Sequence, residues 1–75
     1  MKAVRVWGFP SNKGGVNYFY IKEKDIVLEI GCPDDAEEVN VEMIPKIDFL
    51  KSVKTQSDYS IIKNCIDNFE ENTHL

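Results

Sequence analysis

Val16-Asn17-Tyr18-Phe19-Tyr20-Ile21-Lys22 and Ile26-Val27-Leu28-Glu29-Ile30-Gly31-Cys32, joined by Glu23-Lys24-Asp25, decide how this chain folds. Both runs are rich in β-branched and aromatic residues, which fit a pleated, half-buried surface. A short polar connector between two such runs reads as a β-hairpin. A tight turn at Glu23-Lys24 pairs Lys22 with Asp25, Ile21 with Ile26, Tyr20 with Val27, Phe19 with Leu28 and Tyr18 with Glu29. A four-residue loop of the same parity gives the same facing residues. Successive strand side chains point to opposite faces. Phe19, Ile21, Ile26, Leu28 and Ile30 therefore share one face, and Tyr18, Tyr20 and Val27 share the other.

Towards the N-terminus, Lys2 to Phe9 alternates in the same way, and the loop Pro10 to Gly15 returns it antiparallel to Val16–Lys22. That alignment pairs Phe9 with Val16, Trp7 with Tyr18, Val6 with Phe19, Arg5 with Tyr20 and Val4 with Ile21. Because a slip of one residue would exchange the faces, the two hairpins test each other. They agree on one inward set: Val4, Val6, Phe19, Ile21, Ile26, Leu28 and Ile30. Trp7, Tyr18 and Tyr20 then lie together on the reverse side, with Arg5, Lys22 and Val27.

Towards the C-terminus, Pro33-Asp34-Asp35-Ala36-Glu37-Glu38 has the composition of a helix start. Val39, Val41 and Met43 alternate with polar residues and read as a fourth strand after a turn, ending before Pro45. A short helix is expected from Pro45 to Val53, with proline at its first position. Ile61, Ile62, Cys65, Ile66 and Phe69 recur at helical spacing, behind Thr55 or Ser57 as a cap and with Asp58 in the first turn. The expected fold is α+β in one small domain. Residues 2–32 form an N-terminal β-meander, residues 33–56 a connecting region with a strand and a short helix, residues 57–71 the C-terminal helix, and residues 72–75 a frayed tail. The sheet has three or four antiparallel strands, and the helix covers its inward set.

The 75 residues are 43% hydrophobic and 29% charged, a globular balance in a chain near the lower limit for an independent core. Domains of this size are often reinforced by disulfides, metals or self-association. Cys32 and Cys65 are far apart, the single histidine is His74, and the paired spacing of a zinc site is absent. Both cysteines read as reduced packing residues. Met1-Lys2-Ala3-Val4-Arg5 opens no apolar signal segment, and no apolar run spans a bilayer. The expectation is a cytoplasmic protein without cofactor or metal.

Catalysis finds little support. Gly8-Phe9-Pro10-Ser11-Asn12-Lys13-Gly14-Gly15 resembles a phosphate loop only loosely, since Lys13 precedes its glycines and a strand follows. It reads as a hairpin loop that offers one cation for contact. No serine or cysteine has a base placed to activate it. A non-enzymatic role is expected.

Net charge is −4, and it is divided: residues 1–25 carry +3 and residues 26–75 carry −7. Asp34, Asp35, Glu37, Glu38 and Glu42 form an acidic stretch that is either a solvated surface or a device for steering a basic partner. The face of Trp7, Tyr18 and Tyr20, with Arg5, Lys22 and Lys13 around it, admits three readings. It can be a protein interface, a stacking platform for unpaired bases, or a second core covered by residues 45–56. The acidic total and single arginine weigh against nucleic acid. Lysine, isoleucine and asparagine are frequent, as AT-rich codons would give. The functional expectation is a protein-binding module, of the kind a phage or mobile element uses to inhibit or regulate a host protein, and able to form a homodimer. A single-stranded nucleic-acid binder is the alternative.

Overall fold

The structure is a computed structural model that describes residues 1–11, 14–33 and 39–72. Four strands, β1 (Ala3–Ser11), β2 (Gly14–Ile21), β3 (Ile26–Pro33) and β4 (Asn40–Pro45), form one antiparallel sheet in the order of the chain. Two helices follow, α1 (Lys46–Val53) and α2 (Tyr59–Asn72). The α+β class and the antiparallel meander stand as the sequence predicts.

The central hairpin adopts its expected register from Tyr18↔Glu29 to Ile21↔Ile26. Its turn is the longer of the two that parity allowed: a 3₁₀ turn over Lys22–Lys24, closed by Asp25 in the left-handed region at φ 53°. The fourth strand is present and runs through to Pro45, pairing Leu28 with Met43 and Ile30 with Val41. Pro45 does not open α1 from within but precedes it, in extended conformation at φ −53°, ψ 140°. Proline has no N–H to contribute to the sheet, which fits its place at the end of an edge strand. α2 begins at Tyr59, and the amide of Ile62 donates to the carbonyl of Asp58.

The β1–β2 register departs from strict alternation at one point. Trp7↔Tyr18, Gly8↔Asn17 and Phe9↔Val16 are as expected, but a bulge between Arg5 and Trp7 moves the remaining pairs to Arg5↔Phe19, Val4↔Tyr20 and Ala3↔Ile21. A bulge sets two residues against one and leaves the extra residue unpaired. Here the extra residue is Val6, 5% exposed and turned into the core. Val4, Val6 and Trp7 thereby all serve the side that carries Tyr18 and Tyr20, whereas alternation had divided them.

The bulge and the helices together correct the expected core. The buried cluster consists of Val6, Tyr18, Tyr20, Val27, Phe49, Val53, Ile62 and Ile66, with Val4, Trp7, Ile44, Leu50 and Phe69 packed around it. Both helices lie on the aromatic side. Phe19, Leu28 and Ile30, assigned to the inward set, lie on the side the helices leave open. Periodicity shows which residues share a face but not which face is covered. The aromatic side buries more apolar area per residue, and it carries the two phenols whose hydroxyls α2 and β3 can satisfy.

Candidate protein interface

The covered face consists of three rows of neighbours across the sheet. They are Val4–Tyr20–Val27–Ile44, Trp7–Tyr18–Glu29–Glu42 and Phe9–Val16–Gly31–Asn40. Tyr20 is 1% exposed. Its hydroxyl lies 2.6 Å from Glu70 Oε1 and 3.3 Å from Asp25 Oδ1, so its single proton is donated to Glu70. Lys46 Nζ reaches the same two carboxylates, at 2.9 Å from Glu70 and 3.1 Å from Asp25. The Phe69 ring meets the Tyr20 ring edge-on at 6.2 Å. Tyr18, also buried, donates to Glu29 Oε2 at 2.7 Å and touches the Phe49 ring at 5.2 Å.

Burial, reinforced by an adjacent carboxylate, pushes both phenols well above the ordinary tyrosine range. The Tyr20 hydrogen bond, and after it Lys46, holds the Glu70 carboxyl below its usual range. These are features of a partly exposed polar seam between sheet and helix, closed over the Tyr20 ring.

The residues expected to form a binding surface are therefore separated. Tyr18 and Tyr20 lie beneath α1 and α2, where neither a base nor a partner's side chain reaches them. This is the covered-face reading, and α2 takes part in the cover as well as residues 45–56. Trp7 is half-buried at the margin, stacked on Tyr18 at 5.2 Å, with its indole Nε1 donating to Asp58 Oδ2 at 3.3 Å. Phe9 beside it is 40% exposed. Lys22 joins the seam, its Nζ donating to the Glu70 carbonyl at 3.1 Å. Arg5 leaves the group altogether, because the bulge puts it on the opposite face. Lys13, Asp34, Asp35, Glu37 and Glu38 lie outside the described residues. Glu42 is exposed on β4, beside Glu29.

The opposite face holds what the pattern had assigned to the core. Its rows are Ala3–Ile21–Ile26–Pro45, Arg5–Phe19–Leu28–Met43 and Gly8–Asn17–Ile30–Val41. Ile21 is buried; Phe19, Ile26, Leu28 and Ile30 are half-buried. Met43 is 72% exposed and Val41 52%. Among the described strand residues on this side, Arg5 alone carries charge. Its Nε donates to Asn17 Oδ1 at 2.8 Å, and its guanidinium lies over Gly8, where a Cβ would collide with it. Arg5 stands on an edge strand, so among the described residues the two inner strands bring no charge to this face, and Asn17 on β2 is the polar side chain they present.

Sequence reasoning identified these residues as a set and misassigned their environment. One signal was available: both faces of the β2–β3 hairpin are apolar, more surface than two short helices cover. Cys65 is an unpaired thiol packed against the core, as expected of it. Among the described residues no pocket opens, and no helix is long and apolar enough to cross a membrane. No family model, curated sequence or solved structure matches this chain.

Proposed function

We propose that this chain is a non-enzymatic protein-binding module that works through the open face of its sheet. One observation carries the reading. Phe19, Leu28 and Met43 form a continuous apolar row across three strands, flanked by Ile21–Ile26 and Ile30–Val41, on the side away from both helices. Isolated apolar side chains on a surface are ordinary, but a contiguous patch of this kind marks an interaction site. Shape complementarity over a flat sheet needs no pocket, and small-molecule chemistry does.

The polar margins agree with a protein partner. Arg5 and Asn17 lie at one edge of the patch, giving the dry centre and polar rim of protein interfaces. A single cation among the described strand residues of the face, on a chain with net charge −4, is a poor match for a phosphate backbone. Inhibition or regulation of another protein by occlusion suits so small a chain. The lysine-, isoleucine- and asparagine-rich composition supports an origin in a low-GC genome or mobile element, with a host protein as the target.

The test compares full-length chain with the Val41→Glu, Met43→Glu double variant as bait. A protein, whether foreign or a second copy, held by the parent and lost by the variant supports the reading. Equal behaviour of the two baits overturns it.

A further inference from the structure

We infer that edge strand β4 takes a further strand from its partner: an extended peptide that pairs backbone to backbone with Asn40–Pro45 and alternates apolar with basic side chains. This rests on the reading of the chain as a protein-binding module, and adds the class of segment bound and the edge that binds it.

Backbone is the first argument. The strand order leaves β1 and β4 as the two edges of the sheet. Alternate residues of an antiparallel edge strand point their N–H and C=O groups away from the sheet, where another chain can pair with them. β1 is guarded by the bulge at Val6, by Arg5 and by Pro10. β4 pairs with β3 without a bulge and has proline only at its last position. Among the described residues, no backbone bond joins β4 to anything but β3. The amide of Lys46 donates to the Asp25 carbonyl at 3.1 Å, which holds the end of the strand in place. Main-chain bonds of this kind supply affinity in strand addition, and the side chains supply specificity.

The side chains are the second argument. Glu42 lies directly across from Glu29, and like charges so placed destabilise a sheet. Tyr18 donates to Glu29 at 2.7 Å, but among the described residues no cation pairs with either carboxylate. Nearer the β2–β3 turn the fold supplies one: Lys46 Nζ bridges Asp25 and Glu70, 5.8 Å from the Tyr20 ring centroid. A lysine or arginine opposite Glu42 on an added strand completes the row of Tyr18, Glu29 and Glu42 in the same way. The residues on either side of that cation point to the other face of the sheet. There they lie beside Val41 and Met43, 52% and 72% exposed, and continue the apolar rows of Ile30 and Leu28. β4 of a second copy fits poorly, because pairing centred on Glu42 sets Glu29 and Glu42 in line with their own copies.

NMR titration and amide hydrogen exchange of the full chain test this, with acetyl-Val-Lys-Val-Lys-Val-Lys-Val-amide as the probe. The expected result is protection of the outward amides of β4. Affinity should exceed that of the counterpart with glutamate in place of lysine by about tenfold or more. N-methylation of the lysine peptide throughout should abolish binding. Glu42→Lys, at an exposed position, should cost the lysine peptide its advantage and leave the circular dichroism spectrum unchanged. Equal affinity for the two peptides, β4 amides unprotected at millimolar peptide, or protection at β1 instead overturns the inference. So does protection of β4 in the free chain that is lost on dilution, which would place a second copy on the edge. The bait comparison is read separately: a protein held there while the peptides fail here keeps the module reading and removes this inference alone.

Discussion

Tyr20 and Glu70 are fifty residues apart in the chain and 2.6 Å apart in the fold, phenol hydroxyl to carboxylate Oε1. This contact ties the middle of the sheet to the last turns of α2 and fixes which face the helix covers. Tyr20→Phe keeps the ring packing and removes the donor. Hydrogen bonds to charged groups contribute roughly 1.5–3 kcal/mol. Glu70 keeps Lys46 and is one-third exposed, so the expected loss is at the low end, about 1–2 kcal/mol in urea denaturation. A variant as stable as the parent would remove this contact from the account.

The same seam gives stability a defined pH dependence. Glu70 has a lowered folded pKa, so its contribution is present above the ordinary carboxyl value of 4.5 and is lost as pH falls through the folded value. Tyr18, Tyr20 and Lys46 have raised folded values. Their contributions are present below the unfolded values of 10.0 for tyrosine and 10.5 for lysine, and are lost as pH rises further. Denaturation midpoints should be flat between about pH 5 and pH 9.5 and fall on both sides. In Glu70→Gln the acid limb should shrink and the alkaline limb persist. An unchanged acid limb would assign it to other groups.

Two adjacent residues of α2 separate core from surface. Ile62 is 0% exposed and Ile61 63%. Ile62→Ala should cost about 2–5 kcal/mol as a cavity-forming change, and Ile61→Ala less than about 0.5 kcal/mol. Comparable costs at the two positions would mean that α2 is rotated about its axis.

How far the sequence discloses this fold depends on the element. The β2–β3 hairpin was legible because its two faces and its turn parity constrain each other, and Phe19↔Leu28 follows directly. α2 was legible from the spacing of Ile62, Ile66 and Phe69. The covered face was not, because apolar residues occupy both sides of the hairpin and periodicity ranks neither. The bulge at Val6 was equally hidden, since alternation through Val4, Val6 and Trp7 is unbroken in the sequence and the extra residue appears only in the pairing. These two facts exchanged core and surface, and with them the candidate interface moved from Trp7, Tyr18 and Tyr20 to Phe19, Leu28 and Met43.

The turn at Asp25 offers a local test. Its left-handed backbone suits asparagine or glycine and penalises β-branched residues. Its carboxylate, 65% exposed, pairs with Lys46, and such exposed pairs contribute about 0–1 kcal/mol. Asp25→Asn should therefore stay within about 1 kcal/mol of the parent. Asp25→Val should lose more than that through backbone strain, on the order of 1–3 kcal/mol. Thermal denaturation of the pair distinguishes them, and equal stability would contradict the turn geometry.

The central claim is that the face of Phe19, Leu28 and Met43 is the working surface. Replacing Met43 with a photo-reactive phenylalanine analogue and irradiating the full chain reads that surface directly. Covalent adducts joining position 43 to a protein, whether foreign or a second copy, are the predicted outcome, with none from the same group at Ile61. No protein adduct from position 43, or adducts from position 61 alone, would contradict it.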